Sequence, residues 1–209
     1  MIRPASRFAL MTGKRLPYDA EVEYLESTGT QWIDTGIVPT SDLAYQVVAA
    51  VQTYLNSRVV AGGRGSSSPM NQRILQYTQN NVRQLCLQRG DSTIRIAIPY
   101  NSDFHVFFSS ATTLRIDGTE AASNAVSDSG EESFFALFGN SVAGVAQSFS
   151  ACRISSAKLW RGSTLVRDYI PVRVGTTGYL YDRVSGALFG NAGTGAFSYG
   201  NDLPYPIGG

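Results

Sequence analysis

The sequence predicts an all-β protein, a two-sheet antiparallel sandwich of about eleven to thirteen strands with few and short helices. The 209 residues include 21 glycines, 11 tyrosines and 10 phenylalanines, a composition that favours strands and tight turns. From about residue 44 onward, short apolar runs alternate with turn signals at intervals of roughly eight to twelve residues. Apolar residues never keep a helical period over a long window. So many strands exceed one open sheet and indicate two packed layers.

The first half of this pattern contains a clear hairpin. Residues 44–52 (AYQVVAAVQ) predict a strand, and residues 62–70 (GGRGSSSPM) predict a flexible loop. Asn80-Asn81 separates ILQYTQ from VRQLCLQ, and asparagine tolerates the positive φ that a two-residue hairpin turn needs. The chain turns again at Arg89-Gly90-Asp91 into STIRIAI, whose isoleucines share one face.

The second half continues with paired apolar segments. Asp117-Gly118 is the strongest two-residue hairpin signal of the chain, and we interpret it as closing FHVFF against TLRI. A polar loop is expected over residues 121–132. The later strand segments are SFFALFG, FSACRISSAKLW (one long strand with a bulge, or two strands), TLVRDYIPV and GYLYDRVSGALFG.

The charge distribution separates an N-terminal arm from the rest. The formal net charge is +1 and the pI is about 7.7, so the chain lacks the global field that gathers nucleic acid or an anionic membrane. We therefore predict that neither nucleic acid nor a membrane is a partner. Because basic residues cluster near the start of the chain, we also predict that residues 1–19 form a basic attachment arm and that residues 20–209 form the domain. The short FALM segment is not a convincing secretion signal. The basic residues of the arm are Arg3, Arg7, Lys14 and Arg15.

Cysteine and histidine are too few for most metal chemistry. Cys86 and Cys152 are the only cysteines, and without an export signal we expect them to be reduced and buried. His105 is the only histidine, which excludes sites with several histidine ligands.

Several segments, in order, resemble concanavalin A-like (laminin G/pentraxin-like) jelly-roll domains. They are DFHVFFSSATTLRIDGTEA, FALFGN and ACRISSAKLW. Three further stretches are similar to a smaller group of domains recurrent in phage tail and gut-bacterial surface proteins. They are EYLESTGTQWIDTGI near the start, and LVRDYIPV and GYLYDRVSGALFGNAGTGAF at the end. The resemblance covers about residues 20–200. Val172 stands where many relatives have cysteine, and Trp32 and Trp160 stand where tyrosine is commoner.

The resemblance also implies a role for the opening stretch EVEYLESTGTQWIDTG. In such jelly rolls the first and last segments lie in one sheet. We therefore expect strands at 22–26 and 31–37, around a turn at 27–30, to pair with elements near the C-terminus. The glutamates would then face water and the apolar residues would face inward.

The resemblance implies a non-enzymatic module that recognises a carbohydrate or has a structural role, with no catalytic residues and no cofactor. A host-surface or mucin-type glycan is the expected ligand. Arg64 in the 62–70 loop is a candidate for recognising it; the alternative is that this loop only connects two strands. Sugar binding on a sandwich uses aromatic platforms with polar neighbours. The candidate glycan-binding residues are Tyr45, Tyr54, Arg64, Asn71, Tyr77, Tyr100 and Trp160.

Calcium is the alternative to a metal-free site. Asp117, Asp128 and Asp182 could supply oxygen ligands at a sandwich rim, as in some laminin G-like and pentraxin-like domains. Asp117 and Asp182 also have sufficient roles in turns. His105 begins a strand, and in the resembling folds that histidine is usually structural.

Two other functions stay open at this point. A glycoside hydrolase or lyase of the same fold would need paired carboxylates, and the candidate pairs are Glu21/Glu23, Glu131/Glu132 and Asp128/Glu131. A purely structural assembly protein without a glycan ligand is the other alternative, with a homo-oligomeric interface. The expected location is a virion, such as a tail, fibre or decoration protein, or a cell surface reached after synthesis in the cytoplasm. The arm would attach the domain to other virion or surface proteins.

Overall fold

The structure is a computed structural model that describes residues 16–65, 71–97, 103–123 and 133–204. All regular secondary structure in these ranges is β-strand, which confirms the predicted fold class. Eleven strands have four or more residues and eight are shorter, so the predicted number matches the longer strands alone. The strands are β1 (Ala20–Glu21), β2 (Leu25–Glu26), β3 (Ile33–Asp34), β4 (Leu43–Val51), β5 (Val59–Arg64), β6 (Gln72–Gln79), β7 (Val82–Arg89), β8 (Ser92–Ala97), β9 (His105–Ser109), β10 (Thr113–Ile116), β11 (Thr119–Ala122), β12 (Ala136–Leu137), β13 (Asn140–Val142), β14 (Val145–Gln147), β15 (Cys152–Arg161), β16 (Thr164–Val174), β17 (Thr177–Asp182), β18 (Ala187–Phe189) and β19 (Ser198–Tyr199).

The strands form two sheets. The first sheet has the order β11-β10-β9-β4-β15-β16-β17-β18, with β1 beside β16, and β2 between β15 and β19. The second sheet has the order β14-β13-β5-β6-β7-β8, with β12 joining β5 to β3. Pairing is antiparallel except between β13 and β5, where Ser141 pairs with Gly63 in parallel.

The core lies between the two sheets and follows the period-two alternation of the strands. In β4, Leu43, Tyr45 and Val47 are fully buried while the residues between them are partly exposed. Ile74 of β6 and Leu87 of β7 belong to the same buried cluster from the other sheet. Burying one such side chain contributes about 1.5–3 kcal/mol, so this interface is the main source of stability.

The predicted hairpin turns are present, with one change of partner. Asn80 and Asn81 have φ of 51° and 62° and join β6 to β7. Asp117 (φ 48°) and Gly118 (φ 84°) also form a two-residue turn, but they join β10 to β11. The pairing of FHVFF with TLRI is correct, whereas the prediction that Asp117-Gly118 closes it is wrong. The chain between β9 and β10 turns instead at Ser110, whose hydroxyl accepts from the Thr113 amide at 3.1 Å.

The opening stretch divides between the two sheets. β2 pairs with β15 and with β19 near the C-terminus, as the resemblance implies. β3 instead pairs with β12 in the second sheet, so the expectation that both strands pair with C-terminal elements is half right. The buried amide oxygen of Gln31 accepts hydrogen bonds from Ser27 and Thr28, and these bonds shape the turn that crosses between the layers.

The glutamates of this stretch face outward as expected, but they have partners. Glu26 bonds Arg153 at 3.0 Å, and the Glu23 carboxylate accepts from the Asn201 backbone at 3.0 Å. Leu25 between them is fully buried. These contacts fasten the opening segment to β15 and to the segment after β19.

The 62–70 segment was predicted as a loop, and this prediction is partly wrong. Residues 62–64 extend β5, and a Cβ on Gly62 would lie 2.5 Å from the Arg73 Cβ. Glycine there lets β6 approach closely, which composition alone cannot distinguish from a flexible connector. Residues 66–70 lie outside the described residues.

Candidate functional site

Tyr45 is excluded from the candidate glycan-binding residues. Its side chain is fully buried, and its ring lies 4.7 Å from that of Phe135 in the core. The alternation of β4 places Tyr45 in phase with Leu43 and Val47, and all three face the second sheet. The prediction that Tyr45 offers a surface ring is therefore wrong.

Tyr54 and Trp160 lie in separate places. The Tyr54 hydroxyl bonds the Thr78 hydroxyl at 2.8 Å, and the Arg83 guanidinium lies 5.1 Å from the Tyr54 ring centre, so this tyrosine packs at the end of the β6–β7 hairpin. Trp160 is in β15 of the first sheet and is partly exposed. Tyr100 lies outside the described residues.

Arg64, Asn71 and Tyr77 share the outer face of the second sheet. The core-facing residues of β6 and β7 include Ile74 and Leu87, so the side chains one residue out of phase point away from the core. Register places side chains of three strands in rows on this outer face. The rows are Arg73–Gln88–Thr93, Leu75–Cys86–Arg95 and Tyr77–Gln84–Ala97. We call this surface, with Arg64 and Asn71 at its margin, the arginine–tyrosine face.

The middle of the arginine–tyrosine face is apolar. Val59, Leu75 and Cys86 form a small buried cluster separate from the main core, and Tyr77 packs against it. Burial raises the pKa of the Cys86 thiol, which keeps it neutral. This cluster forms a floor from which the polar side chains of the outer rows project.

The polar side chains on either side of this floor are oriented by contacts with one another. The Arg95 guanidinium lies 5.8 Å from the Tyr77 ring centre, a cation–π contact. Arg73 Nε donates to Gln88 Oε1 at 2.7 Å. Burial lowers the pKa of the Arg73 guanidinium, and the nearby charge of Arg64 lowers it further. Among the described residues, no carboxylate forms an ion pair with either of these two guanidinium groups.

Some polar atoms on this face lack hydrogen bonds. Arg64 Nε and Gln84 Oε1 are buried and have no hydrogen-bond partner within the described part of the chain. Buried polar groups are usually satisfied by protein, water or ligand, so these two atoms mark a place where another molecule could complete the bonding.

The sequence reasoning missed Arg73, Gln84, Gln88 and Arg95. The signal for them is weak: Gln84 and Gln88 stand four residues apart and so share one face of a strand, and Arg95 stands between Ile94 and Ile96. Leu75 and Cys86 on the same face interrupt the polar pattern, so the face becomes evident only once the core side of each strand is known.

The proposed carboxylate pairs do not form a cleft among the described residues. Glu21 accepts from the Tyr18 hydroxyl at 3.0 Å and lies 3.6 Å from Arg183, while Glu23 bonds Asn201. Both glutamates therefore tie the sheet edge together. The pairs Glu131/Glu132 and Asp128/Glu131 lie outside the described residues.

Two of the three candidate calcium ligands, Asp117 and Asp182, have hydrogen-bond partners within the protein. Asp182 is fully buried, and its carboxylate accepts from Asp168, Val184 and Ser185. Asp117 bonds His105, and Asp128 lies outside the described residues. No group of three or more histidine, cysteine, aspartate or glutamate side chains suited to a metal occurs in the described ranges.

His105 has a structural contact with the turn at Asp117. Its Nδ1 lies 2.5 Å from Asp117 Oδ2, and Asp117 Oδ1 accepts from the Val106 amide at 2.8 Å. We expect Asp117→Asn, which keeps the turn conformation, to lower the free energy of unfolding by about 1–2 kcal/mol in urea titrations. Glu120→Gln removes an exposed ion pair nearby and should cost less than about 1 kcal/mol. Equal effects of the two substitutions would contradict the structural role.

Trp32 stacks against two phenylalanine rings. Its ring stacks on Phe134 at 5.3 Å and on Phe149 at 6.3 Å, and the Trp32 amide donates to Asn191 Oδ1 at 3.1 Å. Trp32 therefore packs the crossing turn against the C-terminal segment, as expected for a packed position.

Comparisons with known proteins show the fold and little more. No protein-family model matches the chain, and no curated protein matches it either. A solved structure from Bacteroides ovatus ATCC 8483, described as a "putative carbohydrate binding protein", is similar with a TM-score of 0.54 and 12% identity, over 90% of this chain and 62% of that chain. Full-length tailspike protein 2 from Escherichia coli O157:H7 bacteriophage CAB120 is similar with a TM-score of 0.40 and 12% identity, over 73% of this chain and 27% of that chain.

The chain thus spans less than two thirds of the length of either protein. The first similarity supports a shared all-β sandwich, while the TM-score of the second is too low to support any inference. In the described ranges, no helix has both the length and the apolar character needed to cross a membrane. Fold and surface together define a two-sheet β-sandwich with a polar, arginine-rich outer face.

Proposed function

We propose that this chain is a non-enzymatic carbohydrate-recognition module with a concanavalin A-like jelly-roll fold, and that it binds a glycan on the arginine–tyrosine face. The observation that carries the proposal is one outer face that has Tyr77 and Gln84 in one row, Arg95 in the next row, and Arg73 and Gln88 in the row beyond. A tyrosine ring packs against the apolar side of a sugar, while amides and guanidinium groups bond its hydroxyls.

The dimensions of the face suit an oligosaccharide. Arg73 and Tyr77 are four residues apart in β6, so their Cα atoms are separated by about 13 Å. The three rows extend over β6, β7 and β8, which adds about 10 Å across the strands. A site of this size accommodates more than one sugar ring, and its flat floor suits an extended chain.

The strands of this surface contain no acid pair, which supports the non-enzymatic proposal. Glycosidases place two carboxylates about 5–9.5 Å apart across the scissile bond. β5, β6, β7 and β8 contain no aspartate or glutamate. Bound sugar would therefore meet cations, amides and an aromatic ring on this face.

The wider setting follows from the sequence resemblance. We propose a surface-associated protein or a virion component such as a tail or fibre protein, attached through the basic arm at residues 1–19. The Bacteroides ovatus protein with the same fold is described in terms of carbohydrate binding, which agrees with this setting. Residues 1–15 lie outside the described residues.

Binding to an array of neutral and acidic glycans, with calcium and with a chelator, tests the proposal. We expect signal on a defined group of glycans in both conditions, and a five- to tenfold loss of affinity in Tyr77→Ala, since an aromatic contact contributes about 1 kcal/mol or more. Trp160→Ala, which removes a partly exposed ring from the other sheet, should bind as the unmodified protein does.

Other outcomes point to the alternatives. Lack of signal on all multivalent glycans would contradict the proposal and favour a purely structural assembly protein. Shortened glycan products would favour a glycoside hydrolase or lyase. Binding lost in Trp160→Ala but kept in Tyr77→Ala would place the site on the first sheet.

A further inference from the structure

We propose that the glycan bound by the arginine–tyrosine face is acidic, with carboxylate or sulfate groups on at least two of its sugar units. This inference rests on the proposed function and names the chemical class of its ligand. It follows from the charge of the face, from the arrangement of its arginines and from the unsatisfied amide oxygen beside them.

The charge of this region differs from that of the whole chain. Residues 58–97 contain six arginines and a single aspartate, whereas the chain as a whole has a net charge of +1. The aspartate, Asp91, lies in the turn between β7 and β8. Alternation then directs Arg64, Arg73 and Arg95 to the outer face of the second sheet, while Arg89 is buried.

The arginines of the first sheet have carboxylate partners, whereas those of the arginine–tyrosine face have none in the part of the chain that the structure describes. Arg115 pairs with Glu120 at 2.6 Å, and Arg173 pairs with Asp202 at 2.6 Å. Within the ranges that the structure describes, Arg64, Arg73 and Arg95 form no ion pair with a carboxylate. Uncompensated like charges oppose folding, so their clustering indicates an external anion.

The arginines form two separate cationic positions. One consists of Arg73, held by Gln88, together with Arg64; the other is Arg95 beside Tyr77. Register places Arg95 two strands and two residues away from Arg73, so their Cα atoms lie about 12 Å apart. One acidic group cannot neutralise both positions, and a chain with repeated acidic groups can. Guanidinium groups bind carboxylate and sulfate oxygens through paired hydrogen bonds.

The amide of Gln84 favours a glycan over a ligand that is held through phosphate groups alone. Its buried Oε1 has no donor within the described residues, and Gln84 lies in the same row as Tyr77. Sugar hydroxyls donate hydrogen bonds, whereas the phosphate groups of a nucleic acid only accept them. One tyrosine also falls short of the series of stacking rings typical of single-stranded nucleic acid sites.

The test measures affinity of the full chain for polygalacturonate, chondroitin sulfate, neutral dextran and double-stranded DNA. We expect binding to one of the two acidic glycans, at least tenfold tighter than to dextran or DNA, and weaker in 0.5 M salt. Arg73→Gln/Arg95→Gln should lower that affinity at least tenfold, because each charge-assisted hydrogen bond is among the stronger kinds. Polygalacturonate has only carboxylates, whereas chondroitin sulfate has both carboxylates and sulfates, so binding to chondroitin sulfate alone would show that sulfate is required.

Arg115→Gln is the matched control. Arg115 lies 5.8 Å from the Phe108 ring, the same distance as Arg95 from Tyr77, but on the first sheet and paired with Glu120. It should leave affinity unchanged. The double variant should keep or raise the thermal midpoint, whereas a merely structural role for Arg73 and Arg95 would lower it.

The remaining outcomes overturn the inference in distinguishable ways. Tight binding to neutral glycans that the double variant retains would overturn the acidic ligand and leave the proposed function standing. Equal binding to DNA and acidic glycans would show a general polyanion surface. No binding to any glycan, on this panel or on the array, would overturn both.

Discussion

Arg89→Ala is expected to lower the free energy of unfolding by about 3–5 kcal/mol, the largest effect of any single substitution considered. Arg89 is fully buried in β7, and its guanidinium donates to the backbone oxygens of Leu43 at 2.7 Å and Ser41 at 2.5 Å and to Gln72 Oε1 at 2.9 Å. The substitution leaves three acceptors without donors and a cavity between the sheets.

The expected loss corresponds to a fall in thermal midpoint of about 6–20 °C for a chain of this length. Urea titration and thermal denaturation would measure it. Arg89→Lys should recover only part of the loss, since one ammonium lacks the planar fork that reaches all three acceptors. Arg115→Ala on the surface is the control and should cost less than about 1 kcal/mol.

Whether Arg89 stabilises the fold depends on whether its three hydrogen bonds outweigh the cost of burying its charge. Burial lowers the pKa of the Arg89 guanidinium, which shows that burying this charge is itself costly. A methionine of similar length would remove that cost but would still leave the three acceptors unsatisfied. If Arg89→Met is as stable as the unmodified protein, the cost of burying the charge exceeds the value of its hydrogen bonds, and the expected stabilisation by Arg89 is wrong.

Asp182→Asn is expected to lower the free energy of unfolding by about 2–4 kcal/mol at neutral pH. The buried carboxylate accepts four hydrogen bonds: from the Asp168 amide (2.8 Å), the Val184 amide (3.1 Å), and the Ser185 amide (3.2 Å) and hydroxyl (2.6 Å). An asparagine has one acceptor oxygen, so its NH₂ group would face two donors. Asp202→Asn, in an exposed ion pair with Arg173, is the control and should have a much smaller effect, since exposed ion pairs contribute little to stability.

The stabilisation by Asp182 should depend on pH. Burial alone would raise the pKa of this carboxyl, but the hydrogen bonds from Asp168, Val184 and Ser185 outweigh burial and hold the pKa below its ordinary value. A depressed folded-state pKa means that the stabilisation is complete above the unfolded-state pKa, about 3.9, and is lost as the pH falls through the folded-state pKa. Urea titrations at several pH values between about 7 and 2.5 should show a smaller acid-dependent loss in Asp182→Asn. Parallel pH profiles would contradict this.

The sequence predicted local structure well wherever a short motif determines it. The Asn80-Asn81 turn was identified from its own residues, and one of the two alternatives for FSACRISSAKLW, a long strand with a bulge, matches β15, which shifts register between Ile154 and Ser156. Each depends on a backbone preference that operates over a few residues. The aspartates at Asp117 and Asp182 were likewise correctly assigned to turns.

The candidate site was less predictable because it depends on which face of each strand is covered. Alternation shows that Tyr45 and Tyr77 each lie on one side of a strand, but only the packed sheets show that Tyr45 faces the core. Arg73 and Arg95 lie on the same face of the sheet only because β6 and β8 pair with opposite edges of β7. The pairing of β3 with β12 could not be predicted from local sequence patterns either, since it joins residues about a hundred positions apart in sequence.

The contact between the first and last segments that the structure describes has a mechanical consequence. β1 lies beside β16, Val22 bridges to Asp202, and the Leu203 amide donates to the backbone oxygen of Glu21 at 2.8 Å. Tension applied between these two segments would load the few hydrogen bonds that join them before it reached the long pairing of β4 with β15. The margin of the sheet would peel first, and the sandwich with its outer face would stay folded under forces that detach its ends from each other.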